Sequence, residues 1–138
     1  MADRQSPTPA EITIMAAGAV MLVFSFLHFA GRGSFGVSAW GTGLFPIATL
    51  LPLYGLVMGL QIALTKFAGV KLPDSVLGFT WEQIHLALGL MAGVMALGWL
   101  LTDYGDKQVG EWFEILGAIA LVVGALLLQR ERNTGAIG

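Results

Sequence analysis

The chain has 138 residues, of which 56% are hydrophobic and 12% charged, with a mean hydropathy of +0.77 and a formal net charge of −2. That apolar excess lies outside the usual range for a soluble domain, and the small net charge by itself says nothing about partners. The absence of cysteine excludes disulfides, thiolate metal sites and cysteine nucleophiles.

Four apolar stretches, Ile12 to Ala30, Leu44 to Leu64, Ile84 to Leu101 and Trp112 to Leu128, are each 17 to 21 residues long. Hydrocarbon offers no partner for a backbone N–H or C=O, so a run of about 20 apolar residues must close its hydrogen bonds internally as a helix. These stretches predict a single domain over 1–138, an all-α integral membrane four-helix bundle with spans at about 9–30, 44–65, 81–101 and 111–129. The connections are too short to hold a separate soluble domain.

Thr8-Pro9-Ala10-Glu11 places a hydroxyl acceptor at an N-cap, proline at the first helical position and a glutamate at N3 that can reach back to the cap. The first helix is therefore expected to run from Pro9 to Ala30, long enough to cross a hydrocarbon core of about 30 Å. It is read as a retained span, because no small-residue cleavage site follows Ala30. The first connection, Gly31 to Gly43, contains five glycines without the Lys-Ser/Thr ending of a phosphate-binding loop, and reads as a tight or flexible turn.

Pro46 falls in the first turn of the second span, whereas Pro52 is interior and predicts a kink near residues 48 to 52. The second connection, through Leu72-Pro73-Asp74-Ser75 and Val76-Leu77-Gly78-Phe79, is expected to lie at the interface between Lys66, Lys71 and the next helix. Thr80-Trp81-Glu82-Gln83 repeats the capping pattern, and Trp81 suits one interface while Trp40, Trp99 and Trp112 suit the other. Arg4, Lys66, Lys71, Arg130 and Arg132 fall on one side and only Arg32 and Lys107 on the opposite side, which predicts that both termini are cytoplasmic.

Small residues mark the expected helix contacts. Gly55 with Gly59 and Gly89 with Gly93 form GxxxG pairs, and Ala120 with Gly124 gives a small-xxx-small pair, all read as packing within the bundle. The candidate chemical residues are His28, Tyr54, Gln61, His85 and Glu114. His28 and Glu114 lie on the same side and are expected to form a buried polar pair. Tyr54 and Gln61 are expected to make interhelical hydrogen bonds. His28 and His85 stand at opposite faces, so one haem cannot use both, and two separated histidines fall short of a zinc site. Ser25 and His28 share a helix face, but no acid orients the histidine and no oxyanion loop is visible. No catalytic residue, metal or cofactor is expected.

Four short spans resemble the small multidrug-resistance transporters, a likeness that implies a dimer and a membrane-embedded glutamate on the first helix. Glu11 is the matching candidate, at the interfacial end of that helix. A second likeness rests on Thr8-Pro9-Ala10-Glu11, Trp40 to Gly43-Leu44-Phe45-Pro46, and Phe79-Thr80-Trp81-Glu82-Gln83-Ile84-His85. These resemble small four-span membrane proteins of actinobacteria, which implies a plasma-membrane location and assigns no activity.

The expectation is a non-catalytic accessory, scaffold or assembly subunit of a larger membrane complex. Its partners would be the lipid bilayer and other membrane subunits or further copies of itself, with no nucleic acid. The alternatives are a small oligomeric transporter or channel, and a lipid- or quinone-binding protein with a cleft beside His28, Trp40 and Trp112.

Overall fold

The computed structural model describes residues 6–32, 34–41, 46–102 and 105–137. The chain runs through α1 (Pro9–Phe24), β1 (His28–Arg32), β2 (Phe35–Ser38), α2 (Ile47–Lys66), β3 (Ser75–Val76), β4 (Phe79–Thr80), α3 (Trp81–Leu101), β5 (Asp106–Lys107) and α4 (Val109–Ile137). Three helices, α2, α3 and α4, are long and apolar enough to cross a membrane, and α1 is a shorter apolar helix.

Local chemistry sets the helix starts. Thr8 and Glu11 form a reciprocal capping box, with Glu11 N–H donating to the Thr8 hydroxyl at 3.3 Å and Thr8 N–H to the Glu11 carboxylate at 2.9 Å. Thr80 and Gln83 do the same at α3. Helix α2 starts after Pro46, which stands at the N-cap and not in the first turn. It then runs continuously from Ile47 to Lys66 with Pro52 buried inside it. The proposed start of that span at residue 44 lies outside the described residues.

Helix α1 is shorter than its apolar run. It ends at Phe24, not at Ala30, because the backbone beyond it finds partners in a sheet. Ser25 bonds back into the helix through its N–H to Met21 and its hydroxyl to the Leu22 carbonyl. From His28 the chain then pairs antiparallel with β2 on one side and β5 on the other, giving the order β2-β1-β5. The glycines of the first connection make this hairpin possible. A Cβ at Gly31 would collide with the Phe35 carbonyl, and one at Gly36 would meet the His28 ring at 2.5 Å. The all-α expectation is thus corrected by this sheet and by the β3-β4 hairpin, and the glycine-rich turn is corrected to paired strands.

The helices lie antiparallel to their sequence neighbours, and α1 packs against both α2 and α4. Ala10 N–H reaches Glu131 of α4 at 3.4 Å, while at the other end Gly110 of α4 faces the carbonyls of Leu27 and His28. Sixteen helical residues rise only about 24 Å. The turn after Phe24 therefore completes the same layer that α4 crosses as a helix.

Glycines set the spacing. A Cβ on Gly18 would lie 2.4 Å from the Gly55 carbonyl oxygen, and Gly59 faces Met15 across the same seam. On the other side of α1, Gly117 faces Met21 and Gly124 faces Ile14. Gly89 meets Leu121 and Ala125, and Gly93 meets Val122, which joins α3 to α4. Every glycine named for helix packing from the sequence thus faces a neighbouring helix within the chain, while Ala120 is half-buried at the edge of the core.

Candidate functional site

The sheet end of the bundle holds a buried polar layer. The Ser25 hydroxyl accepts the Trp40 indole N–H at 2.8 Å and donates to the Leu22 carbonyl at 2.6 Å. Thr49 of α2 donates to the Ala39 carbonyl at 2.6 Å. The bonds of Trp40 and Ala39 tie the segment after β2 onto the end of α1 and onto α2. Phe29 of β1 is fully buried and meets Trp99 of α3 edge to face at 4.9 Å between ring centroids.

Glu114 stands in this layer without a partner. It is 0% exposed, and neither carboxyl oxygen has a hydrogen bond. On α4 it shares a stripe with Ala118, Leu121 and Ala125 at helical spacing, and the last two face Gly89 of α3. Trp99 lies ten residues beyond Gly89, and Glu114 lies seven and eleven residues before Leu121 and Ala125 on the antiparallel helix. Trp99 is therefore about 15 Å and Glu114 about 10 to 17 Å from that contact, toward the same end of the bundle. The Trp99 indole N–H is also buried without a partner. Beside it a cleft of about 330 Å³ is lined by Ile47, Met95, Gly98, Trp99 and Thr102, between the start of α2 and the end of α3.

His28 does not join Glu114. It is exposed at the start of β1, with its ring over Gly36, and the Glu114 oxygens accept nothing from it. The physical reason is the early end of α1, which puts His28 on a strand and turns it off the helix face that the pairing required. Trp40 and Trp112 are on the surface, 37% and 47% exposed, and do not line the described cleft.

At the other end, His85 Nε2 lies 2.9 Å from the Gln61 side-chain oxygen and joins α3 to α2. The interhelical bond expected of Gln61 is thus made to His85, while Tyr54 is partly buried against the apolar core. His85 Nδ1 is buried and has no partner. Around this end Lys66 pairs with Glu11 at 3.3 Å, and Arg132 pairs with Glu82 at 3.2 Å. Among the described residues no three His, Asp or Glu side chains gather as a metal site.

No protein-family model, curated protein or solved structure matches the chain. Sequence reasoning had not singled out Gly18 or Gly117, which the structure places at the closest contacts of α1. The signal was present in the small run Ala16-Ala17-Gly18-Ala19 and in the seven-residue spacing of Gly117 and Gly124, which puts both on one helix face.

Proposed function

We propose that this chain is a non-catalytic accessory or assembly subunit of a larger membrane complex, held in a bacterial plasma membrane with both termini cytoplasmic. The observation that carries this reading is the open face of α3. Only 22% of its most apolar stretch is buried inside the protein, against 44% for α2 and for α4. Gly89, Ala92 and Ala96 face inward, while Leu90, Met91, Val94, Leu97 and Leu101 form an exposed apolar stripe. Without an aqueous phase, helix association depends on close packing, and a broad stripe left outside the intramolecular seams is available for it.

Glu11 supports the same reading against proton exchange at the first helix. Its carboxylate accepts the Thr8 N–H and pairs with Lys66, so its capping and surface roles occupy it fully.

The test is purification in mild detergent with a photo-crosslinking residue at Val94 or, for comparison, at Val23 on α1. A stoichiometric membrane protein should be captured from Val94 and lost when Met91 on the same stripe is also replaced by Trp. Lipid adducts alone at both positions would overturn the reading. For orientation, reporters fused after Arg132 should read cytoplasmic and one inserted at Asp106 external, and an external C-terminus would refute that part.

A further inference from the structure

The connection between α2 and α3 ends in a two-residue hairpin whose tip is unusual in both conformation and polarity. Ser75 pairs with Thr80 and Val76 with Phe79, and the two turn residues, Leu77 and Gly78, take φ values of 53° and 85°. Positive φ at both central positions is what a type I′ hairpin turn requires, and Asn, Asp or Gly ordinarily supplies it. Here a leucine occupies the first position, the only positive-φ residue other than glycine among those described. A bulky side chain in that region is a genuine outlier. Leu77 is also 93% exposed, with Val76 and Phe79 exposed beside it. A Cβ built on Gly78 would meet nothing within 4 Å, so the tip projects clear of the rest of the protein.

A turn in water gains nothing from a strained, exposed leucine, since Asn or Gly would fit the backbone better and hydrate better. Local strain persists where the surroundings reward it, which points to an apolar phase at the tip. The hairpin's position identifies that phase. Thr80 is both the last residue of β4 and the N-cap of α3, and the Trp81 indole N–H donates to the Pro73 carbonyl at 2.8 Å, which folds the connection against the helix end. Two-residue strands reach only about 7 Å, comparable to the thickness of one headgroup layer.

We propose that the Leu77 hairpin is a lipid-interface anchor that inserts Leu77, flanked by Val76 and Phe79, into the headgroup and acyl boundary of the leaflet at that end of α3. The inference rests on the reading that α3 spans a bilayer. Exposed Lys71 and Asp74 lie on the same connection with opposite charges, so apolar insertion and not net charge carries the attachment.

Because the chain has no cysteine, single labels can be placed at will. Leu77→Cys, Val94→Cys and Thr134→Cys, each carrying an environment-sensitive nitrobenzoxadiazole dye, would be reconstituted in phosphatidylcholine and phosphatidylglycerol vesicles. Position 77 should lose fluorescence to lipids brominated near the top of the acyl chain and position 94 to lipids brominated deeper in it, and both should be protected from aqueous iodide. Behaviour like exposed position 134, quenched by iodide and not by bromolipid, would overturn the anchor. Protection from both quenchers would also overturn it, since a second copy of the chain would then be covering the tip. If position 94 itself reads aqueous, the spanning reading fails as well, and the two failures are thereby told apart.

Discussion

Gly18→Leu should leave almost no correctly folded protein. The first carbon added would lie 2.4 Å from the Gly55 carbonyl oxygen, and this neighbour is backbone that cannot rotate away. Either α1 separates from α2 along the whole seam or the seam does not form, and the loss should be at the upper end of overpacking penalties, about 3 kcal/mol or more. Gly55→Leu should behave alike, since its Cβ would meet Gly18 Cα at 3.1 Å. Gly98→Ala is the matched control. Nothing lies within 4 Å of a Cβ there, so a change within about 1 kcal/mol is expected. Thermal unfolding in mild detergent, followed by size-exclusion chromatography, measures all three, and a Gly18→Leu protein melting near the parent would refute the seam.

Glu114→Met should raise stability. A buried group left without a hydrogen bond carries a desolvation cost of about 1 to 3 kcal/mol, and an unbranched thioether of similar length removes that cost while filling the same space. The sign is the informative part: a protein destabilised by Glu114→Met would show that the carboxyl has a partner in the folded state. Since His28 is exposed and makes no hydrogen bond to it, His28→Ala and Glu114→Met should combine additively to within about 0.3 to 0.5 kcal/mol. Stronger coupling in that cycle would restore the pairing inferred from sequence. An acid kept in the core at a cost to stability is the kind of residue whose retention calls for a functional explanation, and reconstituted protein carrying Glu114→Gln is the place to look for one.

What the sequence displayed well was chemistry confined to one turn. The capping boxes at Thr8 and Thr80 form where their four-residue patterns place them, because each is complete within a single turn of chain. The apolar runs located α2, α3 and α4, since length and hydropathy suffice when nothing competes with the helix. They failed at the end of α1, where a competitor existed. The apolar run continues to Ala30, but Gly31 and Gly36 let a second strand approach, and β5, far along the chain, supplied the third. No local pattern announces a strand two residues long. A GxxxG pair likewise tells that a backbone comes near without naming which one, so Gly55 could be seen and its counterpart Gly18, a single glycine among alanines, could not. Glu114 was visible as an acid in a span, but whether it meets a partner depends on three other elements.

The contacts of α1 also set the earliest point in synthesis at which each of its seams can close. Its seam with α2 can close as soon as the chain has been made through Lys66, and that of α3 with α4 once α4 follows. The face of α1 that carries Ile14, Ala17 and Met21, however, waits for Gly117 and Gly124, and β1 waits for β5. About 85 residues separate the end of α1 from the start of α4, a delay of roughly 4 to 17 s at ordinary elongation rates. By the end of that interval α1, α2, α3 and β5 have all been made, while the side of α1 that meets α4 is still uncovered.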